Sequence, residues 1–565
     1  MARLLVPKHE IVDGKNDHVG TAKSGAAEMS NTPYLDRARL RFPEVLSRID
    51  QEPFSLTYGC GDRNYWGWKF TDFPGARFQE FLFTLAWIKT ASPDDCIWRN
   101  SAFLDDTIKA GFCWWRHIQH ADGSFDEAYP NEKSLAATAF TLFYASESFV
   151  RIRNTLAPEE QRKTLEAMHR AADWLCQNDE THGVLSNHLA AAAAALWNAH
   201  GLLGEAAHRD RAEHFIRRIR SRQSKEGWYE EYGGADIGYQ THCSFYLARI
   251  WQKSRDGELL ESLRRANAFL SHFVHPDGSI GGEYASRGTK FYFPAAFEML
   301  WEECDVARSI AEFQRVNIAE GRGIGVGQMD EYNLYPMLNN YLFAEDAHRS
   351  RRGVGGSSNP LPWQKEQCVL FEDAGLAVES RRRHFAIIGV GGGGVLRIWD
   401  KDTRALVFQN TGYVKDMGNH WITTRAPSTW KKSESGWVVT NSPVRINQKV
   451  FSTPMFLAFR IFNITIGRVP FFATWIKRLL VKVLVSRRSR ENATFTREIH
   501  WQQNGKLILR DHGTGKLKGA TWLDRFLPFH MGSARYIDEQ EEACRSGLVR
   551  ELSGDVDEFV VLSES

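Results

Sequence analysis

The sequence predicts an α+β chain in two parts, an array of helical hairpins followed by an antiparallel β-sandwich. Three observations carry this. Apolar residues recur with the helical period from about residue 34 to 344. Similar turn signatures punctuate those helices. Beyond a Gly/Ser/Pro/Arg-rich connector, short apolar runs separated by turns replace them. At 565 residues the chain exceeds one ordinary core, so division is expected.

Composition narrows the function classes. The chain is 43% hydrophobic and 25% charged, as in soluble globular proteins. A net charge of +2 supplies no global field, so no nucleic-acid partner is expected and any attraction for anions is local. The eight cysteines (60, 96, 113, 176, 243, 304, 368 and 544) have no CxxC spacing, which argues against a zinc ribbon or a disulfide framework. With an N-terminus lacking the apolar core of a secretory signal, they suggest a reducing, cytoplasmic setting. The 19 Trp, 16 Tyr and 35 Phe suit either a large core or sugar-stacking surfaces.

In chain order, residues 1–32 are polar and unpatterned and are expected to be disordered or loosely attached. Residues 33–345 form the helical part. Its turns share one plan in HIQHADGSFDEAY (117–129), LCQNDETHGVLSNH (175–188), RSRQSKEGWYEEY (220–232) and SHFVHPDGSIGGEY (271–284). Their glycines, 123, 183, 227 and 278, lie 60, 44 and 51 residues apart, the length of a hairpin with insertions. Repeats of this size imply a solenoid or a closed toroid with equivalent turns gathered on one rim. The second turn leads into SNHLAAAAAAL (186–196). There His182-Gly183 marks a turn, Ser186 or Asn187 is placed to cap the helix, and Asn187 and His188 sit at the positive end of its dipole. The alanines promote helix and close packing.

Residues 346–366 read as a linker and 367–565 as the sandwich. Residues 454–490 break the strand pattern. Arg460, Arg468, Lys477 and Arg478 interrupt every stretch long enough to span a bilayer, so this is either a basic amphipathic segment on an anionic membrane or an insertion between domains.

Candidate chemistry clusters in the turns. The third places Glu230, Glu231 and Asp236 before a helix with Tyr239 and His242 on one face. The fourth carries Glu283, Tyr284 and Arg287, and the first Asp126 and Glu127. Upstream, Arg63, Tyr65, Trp66, Trp68, Lys69 and Arg77 mix rings and cations as an acidic sugar requires, or as a Trp-rich packing knot would. His384, Asp416 and His420 have no persuasive ligand spacing, so no metal and no cofactor is expected.

The Asn187-His188 pair, the EGWYEEY…GYQTH stretch (226–242) and the TREIHW…LILRD strands (496–511) resemble the heparinase II/III-like and alginate-lyase-like polysaccharide lyases. In architecture the likeness covers roughly residues 50–560. It implies an incomplete (α/α) toroid followed by antiparallel sheets, and β-elimination on an acidic, uronic-acid-containing polysaccharide or oligosaccharide. Under that resemblance Asn187, with the helix N-terminus and Arg287, neutralises the uronate. His188 and Tyr239 act as base and acid, Tyr239 as the acid, and His242 and Arg287 are the groups that could lower a tyrosine pKa. Arg63, Tyr65, Trp66, Trp68, Lys69, Glu127, Glu230, His242, Glu283 and Tyr284 are the expected substrate contacts. The competing readings are a uronyl C5-epimerase, a glycoside hydrolase using two of Glu127, Glu230, Glu231, Asp236 and Glu283, and a non-enzymatic scaffold in polysaccharide assembly.

Overall fold

The computed structural model describes residues 32–180, 185–351, 359–446, 452–469, 472, 489–528, 532–537, 539–544, 550–553 and 555–562. Residues 1–31 of the proposed disordered segment 1–32, the His182-Gly183 turn and residues 352–358 of the 346–366 connector lie outside these residues.

The principal helices are α1 (Pro33–Ala38), α2 (Phe42–Arg48), α3 (Phe81–Ala91), α4 (Ala102–His117), α5 (Leu135–Ile152), α6 (Pro158–Gln177) and α7 (Ser186–Leu203). They continue as α8 (Ala206–Ser221), α9 (Ile237–Ser254), α10 (Gly257–Ser271), α11 (Ala295–Met299), α12 (Asp305–Glu320) and α13 (Leu334–Arg349). Alternate helices pack in a ring, α3 on α5, α5 on α7, α7 on α9, α9 on α11, α11 on α13, and α13 back on α3. The ring therefore closes, where the resemblance implied an incomplete toroid. The intervening helices form an outer layer. Inner position explains composition: α7 has α5, α8 and α9 around it, and its alanines from 190 to 195 are at most 1% exposed. A small side chain on every face lets three neighbours approach one helix.

The repeated turns share a hydrogen-bond pattern. In the first, His120 N–H donates to Ser124 O and Gly123 N–H to His120 O; in the third, Ser224 and Gly227 do the same, and in the fourth, His275 and Gly278. The glycines have φ of 96°, 105° and 86° at 123, 227 and 278. A Cβ on Gly123 or Gly227 would lie 2.1 or 2.3 Å from the carbonyl oxygen of Arg170 or Arg265 in the next outer helix, so only glycine fits.

Among the described residues the C-terminal part comprises three antiparallel sheets. The first runs in sequence order from β3 (Gln367–Phe371) through β4 (Leu376–Ser380), β5 (His384–Gly389) and β6 (Val395–Asp400) to β7 (Ala405–Asn410), β1 and β2 being the two-residue hairpin Glu230–Glu231 and Gly234–Ala235 in the third turn. Alternation gives it two apolar faces: Val378, Phe385, Ile387 and Trp399 join the toroid's core, whereas Ala377, Ala386, Ile388 and Ile398 join the core of the sheets beyond. Its strands are thus buried on both sides. The other two sheets contribute Trp437, Phe495, Ile499 and Leu509, and Tyr413, Ile422 and Trp522, to that second core.

Candidate active site

The inner helices α5, α7 and α9 start just after repeat turns, so their N-terminal residues meet on one rim of the toroid. There a cleft of about 290 Å³ is lined by Arg77, Glu127, Phe140, Asn187, His188, Tyr232, Tyr239 and His242, with Phe291, Phe293, Met329, Asn333 and Pro336 completing it.

Helix α7 lacks the predicted side-chain cap. Leu185 occupies the N-cap position with no side-chain bond to the helix, and the Ser186 hydroxyl instead donates to the Glu230 carbonyl at 2.7 Å. The acceptor comes from strand β1. Asn187 N–H donates to Glu231 Oε1 at 2.6 Å, and Asn187 Nδ2 lies 3.0 Å from both oxygens of that carboxyl. The helix N-terminus therefore already holds the Glu231 carboxyl group, and is not open to a substrate carboxylate as expected. A hairpin in β geometry can aim a longer side chain at the exposed N–H than Ser186 can reach locally. Glu231 is fully buried, and burial pushes its pKa up to about 8 against the opposing Asn187 bonds. It orients the Asn187 amide from behind.

His188 Nδ1 lies 3.0 Å from Glu180 Oε2. Its ring stands edge-on to Phe140 at 5.7 Å. Phe140 is the shared floor: the Arg77 guanidinium lies 4.7 Å over it, and His242 stacks on it at 5.7 Å. His242 is closed on its other face by Phe293 at 4.2 Å, and its Nε2 lies 3.1 Å from the Tyr246 hydroxyl. Burial, then the charges of Arg77 and His188, drive its pKa well below that of a free histidine.

Tyr239 stands in the first turn of α9, whose N-cap Asp236 accepts the Tyr239 N–H at 3.1 Å. Its hydroxyl lies 2.9 Å from Ser533 Oγ, contributed by the C-terminal part. Burial raises its pKa to about 12. His242, neutral and stacked between phenylalanines, does not perform the predicted lowering. Nor does Arg287: its guanidinium lies 3.6 Å over the Tyr232 ring, its N–H donates to Asp236 at 3.0 Å, and it is not among the residues lining the cleft.

The cation at the cleft is Arg77, bonded to Glu80 at 2.8 Å and to Glu127 at 3.2 Å. These two carboxylates hold it charged although burial opposes this.

Other expected contacts lie elsewhere. Arg63 donates to the Ser47 carbonyl and Trp66 to that of Arg48, Trp68 stacks on Phe70 at the surface, and Lys69 occupies a left-handed turn position at φ 53°. Arg63 and Trp66 are thus held by local bonds outside the cleft, and Trp68 and Lys69 stand exposed away from it. Tyr65 lines a neighbouring hollow with Trp114, His117 and Asp126. Glu230 points toward Arg222 at 3.6 Å. Glu283 and Tyr284 are buried against the first sheet. Of the five carboxylates considered for hydrolysis, Glu127 alone lines the cleft. Among the described residues no three His, Cys, Asp or Glu side chains group as a metal site.

Phe140, Phe291, Phe293 and Asn333 enter the site without any signal in the sequence, because each reads locally as core or loop, whereas Arg77 belongs to the mixed ring-and-cation stretch that the sequence singled out. Glu231 was visible only as a candidate carboxylate, since its partner is 44 residues away.

Residues 97–294 match the sequence profile of the Ulvan lyase N-terminal domain. No curated protein sequence matches the chain. Among solved structures, heparinase III aligns over 90% of this chain and 74% of its own, with TM-score 0.50 and 12% identity. The chondroitin AC lyase of Streptomyces coelicolor A3, solved with chondroitin sulphate, aligns over 89% and 69%, with TM-score 0.51 and 12% identity. A Paenibacillus xanthan lyase aligns over 88% of this chain with TM-score 0.51 and 9% identity, and the chain spans 47% of that protein. At these identities the likeness is one of fold. The chain thus has the toroid-and-sheet architecture seen in these solved lyases, and its residues 97–294 are similar to the Ulvan lyase N-terminal domain.

Proposed function

We propose that the protein is a polysaccharide lyase that cleaves a uronic-acid-containing glycan by β-elimination at this cleft. The observation that carries the reading is one rim holding a buried-carboxyl-oriented Asn187, a Glu180-paired His188 and a tyrosine that keeps its proton.

The chemistry assigns each group. The C5 proton of a uronate is weakly acidic while the adjacent carboxylate is charged, so that charge must be met first. One Asn187 amide hydrogen serves both Glu231 oxygens; the second, with the Arg77 guanidinium, meets the substrate carboxylate. Arg77 takes the part first expected of Arg287. Glu180 accepts from His188 Nδ1, which fixes the tautomer with Nε2 basic. Nε2 removes the C5 proton, the C5–H electrons form the C4–C5 double bond, and the C4–O4 bond breaks. Tyr239, with a pKa near 12, donates its proton to the departing O4. Solvent or His188 then returns a proton to the tyrosinate. Hydrolysis would need two carboxylates facing one cleft, and Glu127 alone of the candidates does so.

The matched domain's name points to ulvan as the first substrate to try. Ulvan, alginate, heparan sulphate, chondroitin sulphate and xanthan are incubated with the protein, and the ultraviolet absorbance of an unsaturated uronide is followed. The expected result is a rise with at least one glycan. New reducing ends without that absorbance would overturn elimination in favour of hydrolysis. Deuterium incorporation at C5 without cleavage would overturn it in favour of epimerisation.

A further inference from the structure

The segment after the strand Val444–Ile446 folds as a helix, α14 (Thr453–Ile464), followed by a single turn at Ile466–Arg468. Its polarity is the reverse of a water-soluble surface helix. Asn463 is the helix's buried residue, whereas Met455, Phe456, Leu457, Ile461 and Ile464 are 44–59% exposed, and Ile466 beyond the helix 52%. Side chains of this size rarely form a contiguous exposed surface without a partner.

Polar and aromatic bonds hold the other side of the helix to the toroid. Arg460 pairs with Asp72 at 2.5 Å and lies 5.2 Å over Phe73. Asn131 Nδ2 donates to the Asn463 carbonyl at 3.2 Å, and Phe459 meets Tyr129 edge-on at 5.3 Å. These contacts fix the helix with its apolar face outward, beside the loop of the first repeat turn that carries Glu127 into the cleft.

Charge selects the occupant. From Ser452 to Arg490 the sequence contains eight Lys or Arg and no Asp or Glu. A second copy of the chain would bring like charges together. An acidic glycan would satisfy the cations and leave the apolar face in water. An anionic lipid surface accepts both, the apolar side chains entering the headgroup boundary and the exposed Arg468, with the basic residues after it in the sequence, meeting lipid phosphates. No described helix is long and apolar enough to cross a membrane, which agrees with lying on the surface. We infer that α14 and the turn after it dock the protein on an anionic lipid bilayer.

The test uses the full chain with phosphatidylcholine–phosphatidylglycerol vesicles and pure phosphatidylcholine vesicles in co-sedimentation. Binding to the anionic vesicles is expected, weakening as salt rises. A Leu457→Asp/Ile461→Asp variant, altered only at side chains more than half exposed, should keep the wild-type melting temperature and lose at least about tenfold in binding. Absence of binding to anionic vesicles at low salt, or binding that the double variant leaves intact, overturns the proposal. So does a dimer that the double variant converts to monomer, or a polyanion interaction that it abolishes, when vesicle binding is absent.

Discussion

The third and fourth repeat turns are built to one plan and end in opposite environments. Both place a glutamate shortly after the turn glycine, and both glutamates are buried, Glu231 to 0% and Glu283 to 2% exposure. Glu231 meets only amide groups at bonding distance, from Asn187, and burial carries its pKa up to about 8. Burial also opposes the charge on Glu283, but Lys290 at 3.1 Å, Arg397 at 3.6 Å and Arg525 at 3.2 Å hold it well below the usual carboxylate range. The tyrosines diverge likewise. Tyr239 lines the cleft, while the Tyr284 hydroxyl lies 2.8 Å from His275 Nε2, with Trp399 of the first sheet stacked on that histidine at 4.0 Å. The sheet buries Glu283 and Tyr284 of the fourth turn, whereas it meets the third turn at Ser224 and Glu226 and leaves Tyr239 lining the cleft. What lies over a repeat turn decides whether its polar residues clasp domains or face a substrate.

The sharpest way to break this contrast is to exchange one atom in each turn. Tyr239→Phe should lower kcat on the order of 10²–10⁴-fold, as loss of a general acid does, whereas Tyr284→Phe should leave kcat unchanged in the same steady-state assay. Equal losses in both would erase the distinction. Next in size, Glu283→Ala leaves Glu541 beside Lys290 and Arg397 but takes a carboxylate from both and from Arg525, and should destabilise the fold by about 1.5–3 kcal/mol in urea unfolding. A cost within that of an ordinary surface substitution would mean the cluster is not a clasp.

The pH responses should have opposite signs. Glu231 binds its proton more tightly when folded, so its contribution is full below the unfolded value of about 4.3 and is lost as pH rises through about 8. Glu283 has a depressed pKa, so its contribution is present above the unfolded value and is lost as pH falls. Glu231→Gln should therefore flatten the decline of stability between those limits on the alkaline side while leaving the acid limb intact. An unchanged alkaline slope would remove Glu231 as its source. Smallest, Tyr284→Phe should cost about 1 kcal/mol from the lost His275 bond, read from the shift in urea midpoint.

Much of the architecture was legible because it is periodic. The helical stripes, the recurrent turn glycines and the later strand runs are local patterns, and Gly123 and Gly227 carry the same backbone demand wherever the repeat occurs. Ring closure was not local, since α13 reaches α3 from about 250 residues away along the chain. The site divides the same way. Asn187, His188, Tyr239 and His242 stood out by their place at turn–helix junctions, and all four line the cleft. Glu230, Glu283, Tyr284, Arg287 and, from the Trp-rich stretch, Arg63, Tyr65, Trp66, Trp68 and Lys69 had the same chemical types, yet the cleft is lined without them.

By itself, then, the sequence determined the hairpin repeat, the order of helices before sheets and the residues stationed at each turn, because short-range periodicity and turn chemistry encode them. The tertiary structure alone decided that Glu231 fills the helix terminus thought open to substrate, that Arg77 over Phe140 is the cleft's cation, and that the first sheet buries the fourth turn. Those outcomes depend on which distant surfaces meet, and burial and pairing there set charge states that no local pattern contains.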